Sequence, residues 1–396
     1  MPFAFGMPLA TTLGFWESTW RRLEAVRVGG ADTDKMNGRL SARRMATMRE
    51  RQTMRFVGVA CLLACLVLVA CKGKTTTPTS PTDPTPTPSP TTPTPTPTTP
   101  VATEILTDPL TGRQLFPSDN WWNLNISNAP IDTGSAAYIN FIGRTRQGHP
   151  DFSAPPGGIP YFSVSGSQAK VPVTFGDGES ESDNGFRGET GYPIPEAAKT
   201  QAHFIEHDVP GGGSGGDDHM LIVDRDRWVL YELYQAYWSG SRQRWEAGSG
   251  AIFDLSSNAR RPEGWTSADA AGMAILPGLV RYDEAVAGPI KHAFRATVRA
   301  TNGYVWPASH RAGGTSGALP LGARLRLKAS KDLSPYPAYI QNMFRAMQIY
   351  GLIIADNGTD MYVTGTMDSR WNNFELNPAF RDLTPADFDV IQLGWR

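Results

Sequence analysis

Cysteine is missing from most of this 396-residue chain. Its three cysteines are Cys61, Cys65 and Cys71, so everything after position 71 lacks a thiol. That part of the chain therefore offers no disulfide, no thiolate metal ligand and no cysteine nucleophile. A core of apolar side chains must hold it together, and a chain of this length can bury enough apolar surface to do so.

Nucleotide-binding motifs and a surplus of basic charge are lacking as well. The sequence contains no Walker A loop, no dinucleotide fingerprint, no GxSxG elbow, no SxxK motif and no EF-hand loop. From Val101 onward, 25 basic residues stand against 32 acidic ones. Because nucleic-acid binding needs a basic face, the sequence predicts neither a nucleotide nor a nucleic acid as partner.

Residues 56–70 form a short apolar run that follows the basic residues Arg49, Arg51 and Arg55. The run has 15 residues, fewer than the ~20 that a membrane-spanning helix needs. A basic start, a short apolar segment and small residues at its end are typical of a secretory signal peptide. Leu68-Val69-Ala70-Cys71 resembles the lipobox of bacterial lipoproteins, which implies cleavage before Cys71, acylation of its sulfur and membrane attachment through the lipid. A single transmembrane helix is the alternative.

These signals divide the chain into four parts. Residues 1–47 are interpreted as a non-native upstream extension, because a signal peptide begins close to its basic segment. Residues 48–70 are the signal peptide, and residues 71–103 hold the acylated Cys71 and a Thr/Pro-rich stalk that favours extended polyproline II geometry. Residues 104–396 are predicted to form one domain. An Asp directly after the lipidated cysteine would resemble an inner-membrane retention signal, but this chain has Lys72 there. We therefore expect a lipid-anchored location in the cell envelope, at the outer membrane or the cell surface.

The domain reads as short apolar segments broken by Gly, Pro, Asn and Asp, which favours strands. We expect a mainly β fold, a two-sheet sandwich with a few packed helices. Residues 337–350 carry apolar side chains at three- and four-residue steps and predict a helix that ends before Gly351. Residues 352–363 contain a turn signal between two apolar segments and predict a β-hairpin.

A second hairpin is predicted between Met220 and Tyr234, with a turn at Asp224–Arg227. The expected register places His219 directly opposite Glu232, close to a Gly-rich loop at 211–216 and to Asp218. A carboxylate beside a histidine fixes its tautomer and raises its pKa, which suits acid–base catalysis. A structural ion pair at the rim of the sheet is the alternative.

Further candidates lie elsewhere in the domain. Asp254 is a candidate acid or base because carboxylates perform glycoside hydrolysis, and His310 follows an aromatic segment and precedes a small-residue loop. Three tryptophans are candidate sugar-binding residues, since large aromatic rings stack on sugars as well as filling cores: Trp245, Trp265 and Trp306.

Two histidines, His203 and His207, are four residues apart and could share a divalent metal with Asp208 or Asp218. The segment lacks the HExxH pattern of zinc hydrolases. The sequence therefore predicts no cofactor, with this metal as the alternative.

Segments at 245–254, 264–272 and 350–358 resemble an uncharacterised group of secreted bacterial proteins. The resemblance runs through most of the domain and implies a shared fold and an exported location. It carries no established activity, so it assigns no role to any residue.

Two functions stay open at this point. The first is a surface-tethered enzyme that degrades an extracellular or cell-wall polysaccharide. It would act as a hydrolase through Glu232 or Asp254, or as a lyase with His219 or His310 as base and arginine neutralising a uronate. The second is a non-catalytic glycan-binding or envelope-structural lipoprotein, for which aromatic faces alone suffice.

The lipobox makes a direct prediction about Cys71. Cells that express the full chain with radiolabelled palmitate should incorporate label into the protein, and Cys71→Ala should abolish that incorporation and release the protein from the membrane fraction. Cys65→Ala, a change within the apolar run, is the matched control and should keep the label. Full-length wild-type protein without label in the soluble cell interior would contradict the prediction.

Overall fold

Short strands make up most of the regular structure in the computed structural model, which describes residues 104–176 and 179–396. The strands of this part are β1 (Glu104–Leu106), β2 (His149–Asp151), β3 (Tyr161–Val164), β4 (Val173–Phe175), β5 (Gly185–Phe186), β6 (Glu189–Thr190), β7 (Met220–Asp224), β8 (Val229–Tyr234), β9 (Tyr237–Ser239), β10 (Arg244–Ala247), β11 (Ser249–Asp254), β12 (Phe294–Val298), β13 (Arg324–Leu327), β14 (Leu352–Asn357), β15 (Tyr362–Thr364) and β16 (Phe388–Val390). The α-helices are α1 (Ser135–Ile142), α2 (Tyr282–Ala287), α3 (Ala338–Ile349) and α4 (Asn373–Arg381).

The strands form several open sheets. One sheet has five strands in the order β1-β3-β7-β8-β11, and another has six in the order β16-β13-β14-β12-β15-β2. Smaller sheets have the orders β4-β10-β9 and β5-β6. The predicted β-rich class with few helices is confirmed, whereas the arrangement is not clearly the two-sheet sandwich that was expected.

Both faces of the five-stranded sheet are covered, which explains the unbroken apolar sequence of β7. Leu221 and Val223 pack into the larger core, which reaches the six-stranded sheet and α3. Met220 and Ile222 point to the opposite face and pack into a second core with residues of the three-stranded sheet. Strands buried on both sides read as continuous apolar runs rather than as alternating patterns.

The predicted helix at 337–350 is confirmed as α3. Ile340, Phe344 and Met347 lie on its buried side, and Gly351 follows with a φ of +81°, a conformation that glycine adopts without steric cost. The apolar period therefore located both the helix and its end.

The predicted hairpin at 352–363 is wrong, although both of its strands form. β12 lies between β14 and β15 and pairs with each of them, parallel to β14 and antiparallel to β15. The chain does reverse direction at the predicted turn, but β12, which lies more than fifty residues earlier in the sequence, is inserted between β14 and β15.

The hairpin of β7 and β8 forms with a register two residues away from the predicted one. Leu221 pairs with Glu232, and Val223 pairs with Leu230, because the four-residue loop begins one residue later and Trp228 takes a φ of +57° within it. A shift of two residues keeps every side chain on its predicted face. His219 and Glu232 therefore share a face but are not directly opposite.

Glu232 fastens a distant loop to β8. Its side chain is fully buried, and its carboxylate accepts hydrogen bonds of 2.9 Å from the backbone N–H groups of Ile275 and Leu276, where a 3₁₀ turn begins. Burial raises the pKa of Glu232 to about 7 and outweighs these hydrogen bonds, which act in the opposite direction. Glu232 thus makes a structural contact in this fold, and the catalytic role expected from the sequence stays a prediction.

Several predictions concern residues outside the described part: the 1–47 extension, the signal peptide, Cys71 and the stalk. They stay predictions. Within the described residues, the α-helices are too short or too polar to traverse a lipid bilayer.

The raised pKa of Glu232 predicts a pH-dependent stability. Between pH 4.5 and 7 the folded protein holds a proton that the unfolded chain releases, so the free energy of unfolding falls as the pH rises through this window. Each tenfold change in proton affinity corresponds to ~1.4 kcal/mol, so the free energy of unfolding should fall by about 3 kcal/mol across this window. Urea unfolding at pH 5 to 8 should show this loss relative to Glu232→Gln, which mimics the neutral form.

The exposed Glu196 supplies the control, since Glu196→Gln should follow the wild type at every pH. A difference between wild type and Glu232→Gln that stays constant across the range would show that Glu232 does not titrate in this way.

Candidate functional site

A cavity of about 590 Å³ lies beside the end of β8, the start of β11 and the end of β14. Its titratable lining consists of Asp217, His219, Tyr234, Asp269, His310 and Asp356. Hydroxyl and amide side chains complete much of the wall: Ser249, Thr266, Ser267, Gln235 and Asn357. We call this cavity the central cleft.

His219 stands at the start of β7 and is held from both sides. Its Nδ1 lies 2.6 Å from a carboxylate oxygen of Glu206, and its Nε2 lies 3.2 Å from the carbonyl oxygen of Ala268. The backbone N–H of Glu206 donates to the carbonyl of His219 at 2.9 Å, which fixes the two side chains relative to each other. The partner of His219 is therefore Glu206 and not Glu232.

This geometry gives His219 a positive charge. A carboxylate and a carbonyl only accept hydrogen bonds, so both ring nitrogens donate and the ring carries two protons. Burial alone would lower the pKa of His219, but the charge and hydrogen bond of Glu206 outweigh it and raise the pKa to about 9. At neutral pH His219 is then an imidazolium without a free lone pair, so it would have to lose a proton before it could act as a general base, and that role stays a prediction.

A buried arginine organises the opposite wall. Arg295 on β12 donates to Asp269 through Nε at 2.9 Å and through Nη2 at 2.8 Å. The same Nη2 lies 3.3 Å from Asp356, and Nη1 donates to the hydroxyl of Thr364 at 2.9 Å. One guanidinium thus places two carboxylates beside each other, with Asp269 fully enclosed and the side chain of Asp356 30% exposed.

Asp356 has the properties of a proton donor. Burial, together with the negative charge of Asp269, raises the pKa of Asp356 to about 6 despite the nearby Arg295. One of its oxygens accepts from the backbone N–H of Asn357 at 2.6 Å, which orients the carboxyl group. A carboxylic acid with a pKa near the working pH and an exposed edge is suited to general acid catalysis.

Two further groups in the cleft can exchange protons. Tyr234 hydrogen-bonds to Asp217, and its pKa is raised by burial and then by the charges of Asp217 and Asp356. His310 places Nδ1 2.8 Å from the carbonyl of Ala270. That bond makes Nδ1 the donor, so Nε2 of the neutral ring keeps a lone pair and can accept a hydrogen bond.

The central cleft carries surplus negative charge. Even with Asp356 protonated, three carboxylates, those of Asp217, Glu206 and Asp269, lie at or directly behind its wall, and two cations, His219 and Arg295, balance part of this charge. Such a field repels anions and attracts neutral or cationic ligands.

The structure separates the other predicted catalytic residues from this cleft. Asp218 lines a neighbouring cavity and accepts a hydrogen bond from Ser214 at 2.5 Å. Asp254 ends β11 and binds Arg187 and Ser256, about 17 Å along the strand from Ser249 in the cleft. Of the five predicted catalytic residues, His219 and His310 line the central cleft, whereas Glu232, Asp218 and Asp254 do not.

The predicted sugar-binding tryptophans do not line the cleft. Trp245 is 2% exposed and packs edge-on against Trp238 in the second core, so its face is not available for stacking. Trp265 is half-buried beside the guanidinium of Arg261, and Trp306 packs against Trp121. Core packing accounts for Trp245, and the exposed aromatic edge in the cleft belongs to Tyr234.

The two histidines considered for a metal site belong to different ion pairs. His203 lies 2.8 Å from Asp208, and His207 lies 3.3 Å from Asp218. Among residues 104–176 and 179–396, no group of three or more His, Asp or Glu side chains is arranged to hold a metal ion.

The sequence reasoning missed Glu206, Arg295 and the role of Asp356. Arg295 carried a usable signal, because a charged residue inside the apolar segment of β12 must find a buried partner. Glu206 and Asp356 lie in a 3₁₀ turn and at a strand end, where carboxylates are common for local reasons, so nothing in their neighbourhood marked them.

The Glu206–His219 pair predicts an unusual titration. Proton and nitrogen NMR signals of the His219 ring should show an imidazolium at pH 7 and a midpoint near pH 9. Glu206→Gln should move the midpoint down toward or below 6.5, because burial and the charge of Arg295 then act against the charge of Asp217 alone. The stability that this pair provides is fully present below pH 6.5 and is lost as the pH rises through about 9.

The ring of His310 bonds to the carbonyl of Ala270 and not to Glu206, so Glu206→Gln should leave its signals unchanged and they serve as the internal control. A neutral His219 ring at pH 7 in the wild type would refute the charge assignment.

No protein-family model, no curated protein and no solved structure matches this chain in the comparisons, so the candidate site is defined by its own geometry.

Proposed function

We propose that the protein is a glycoside hydrolase that cleaves the bond of a neutral or amino sugar in the central cleft, with Asp356 as the proton donor. The observation that carries this proposal is the partly exposed Asp356 carboxyl group, whose pKa is raised to about 6, in a wall of hydroxyl, amide and carboxylate groups. Such a wall matches a ligand rich in hydroxyl groups, which both donates and accepts hydrogen bonds.

The charge of the cleft favours hydrolysis over the lyase alternative. A lyase that acts on uronates needs a cation to neutralise the substrate carboxylate. Arg295 is already bound by Asp269 and approached by Asp356, and His219 is bound by Glu206. An anionic sugar would also meet the surplus negative charge of the cleft.

The reaction needs one proton donor and one group that takes a proton from water. Asp356 gives its proton to the glycosidic oxygen, and the bond between that oxygen and the anomeric carbon breaks. Asp217, an exposed carboxylate of the same cleft, takes a proton from the attacking water, whose oxygen bonds to the anomeric carbon. Arg295 and Asp269 are positioning residues because they act through Asp356.

We also propose that this reaction takes place in the cell envelope, with the enzyme tethered through acylated Cys71 and the Thr/Pro stalk. A tether is supported by the apolar run and by the resemblance to a lipobox. It is also supported by the Thr/Pro-rich composition of residues 75–100, which favours an extended chain. A stalk of this kind gives an anchored enzyme reach to a polymeric substrate.

The proposal predicts glycan turnover that depends on Asp356. The release of reducing ends from a panel of neutral, amino-sugar and uronate polysaccharides should identify neutral or amino-sugar substrates and no pure polyuronate. Asp356→Asn should lower kcat by roughly 10²- to 10⁴-fold, the usual contribution of a general acid. The kcat/KM of the wild type should fall above pH about 6 as the donor loses its proton.

Asp332→Asn changes a carboxylate outside the cleft and should leave kcat unchanged. Retained glycan binding without turnover on any member of the panel would favour the non-catalytic binding lipoprotein instead.

A further inference from the structure

A second cavity, of about 660 Å³, lies next to the central cleft. We call it the side cavity. Its walls are the end of β4, the strands β9 and β10, and the Gly-rich loop, and they include Tyr237, Arg242, Arg244 and Glu246. Gly213 and Gly215 form part of the loop wall, and because glycine has no side chain they present backbone to the cavity. Their φ values of +79° and +88° are conformations that glycine adopts without steric cost.

Two arginines and one tyrosine converge on a single carboxylate in this cavity. Glu246 accepts from Nη1 of Arg242 at 2.8 Å and from Nε of Arg244 at 2.9 Å, and the hydroxyl of Tyr237 donates to its other oxygen. These hydrogen bonds, that of Tyr237 first, lower the pKa of Glu246 to about 2. Glu246 is therefore ionised at neutral pH and aligns both guanidinium groups.

The arginines keep donors for a ligand. The contacts with Glu246 use one nitrogen of each guanidinium, and within the described residues the two Nη atoms of Arg244 and the Nη2 of Arg242 have no protein acceptor. The side chains are 61% and 45% exposed. A planar guanidinium with free N–H groups binds a carboxylate through two parallel hydrogen bonds.

The negative charges of the cavity are turned away from this position. Asp218 is 4% exposed in its side chain, and its carboxylate is covered by Ser214 and His207. Glu246 lies behind the two arginines, with 10% of its side chain exposed. The accessible groups at this end are thus the guanidinium donors and the half-exposed ring of Tyr237.

The side cavity and the central cleft share part of their lining. Gln235 and Gly248 belong to both, and consecutive residues, Asp217 and Asp218, face the central cleft and the side cavity respectively. Each cavity alone has the size of a small-molecule site, roughly 300–1,000 Å³. A ligand that fills both is longer than one sugar unit.

We propose that the side cavity is a second subsite of the substrate groove and that it binds the carboxylate of a uronate unit through Arg242 and Arg244. This inference rests on the proposed function, because the central cleft would hold the neutral or amino sugar whose bond is cleaved. The substrate class is then a glycan in which uronate units neighbour neutral or amino sugars. The accessible charged groups are arginines in the side cavity and carboxylates in the central cleft, so they also set the direction in which the glycan lies.

Binding measurements separate this inference from the catalytic one. Asp356→Asn, which should bind without turnover, is titrated calorimetrically with a hyaluronan tetrasaccharide and with chitotetraose, and likewise with a glucuronic-acid-substituted xylotetraose and with plain xylotetraose. In at least one pair, the uronate-containing member should bind at least tenfold more tightly than its neutral counterpart. Its affinity should fall with ionic strength, as expected for exposed charges.

The arginines are then removed together with their carboxylate. Arg242→Ala and Arg244→Ala are combined with Glu246→Gln, so that no buried carboxylate is left unpaired. This variant should lose the tenfold preference for the uronate-containing member while its affinity for the neutral one stays within twofold. Arg345→Ala, a change of an exposed arginine on α3, is the matched control and should keep the preference. The melting temperature of each variant reports whether it folds.

The outcomes distinguish the two proposals. Loss of the preference in the arginine variant, with no turnover by the wild type on any glycan, would support the subsite and refute the hydrolase. Turnover that requires Asp356, with equal binding of uronate-containing and neutral oligosaccharides in every pair, would overturn the subsite alone. A preference that survives removal of both arginines would also overturn it.

Discussion

The buried guanidinium of Arg295 is the interaction on which the candidate site depends. It joins β12 to Thr364 at the end of β15, to Asp356 near the end of β14 and to Asp269 in the loop that forms the cleft wall. Removing one partner of such a buried pair leaves an uncompensated charge, at a cost of about 3–5 kcal/mol. The loop and the three strands are therefore held in one arrangement. Burial in this arrangement, together with the negative charge of the nearby Asp269, raises the pKa of Asp356, while the positive charge of Arg295 acts against this shift.

Charges at the site are paired across elements that are far apart in sequence. Glu206 from a 3₁₀ turn fixes the imidazolium of His219, and Glu232 on β8 holds the backbone of Ile275 and Leu276, which continue the loop that carries Asp269. In each of these contacts a titratable side chain is occupied by a structural partner, and the contact fixes the position of a segment next to the cleft. The groups left with accessible protons or lone pairs are Asp217, Tyr234, His310 and Asp356, and all four line the central cleft. The side cavity differs because exposed arginines, rather than carboxylates, dominate its accessible surface.

The five-stranded sheet explains why the two cavities meet. It is a central layer with a core on each face, and the residues around the ends of β7 and β8 lie where the layers come together. Asp217 and Asp218 directly precede β7 and line different cavities, whereas Tyr234 at the end of β8 lines the central cleft and Gln235, the next residue, lines both. The two cavities differ in their accessible charge because Asp217, Asp269 and Asp356 come from loops and from the end of β14, whereas the exposed arginines come from β10 and the turn before it.

The sequence alone determined the local features of this protein. Apolar patterns located α3 and the strands β7, β8, β14 and β15. The alternation of side chains along a strand placed His219 and Glu232 on one face, and the lack of cysteine after position 71 excluded thiol chemistry there. Tertiary structure decided which strands are neighbours and which charges meet. The alternation of side chains tells which face of a strand a residue lies on, but it is the same for two registers that differ by two residues. The sequence therefore could not tell that Glu232 pairs with Leu221 rather than with His219. The insertion of β12 between β14 and β15 and the meeting of Arg295 with Asp269 and Asp356 depend on contacts between distant segments, which no local pattern encodes.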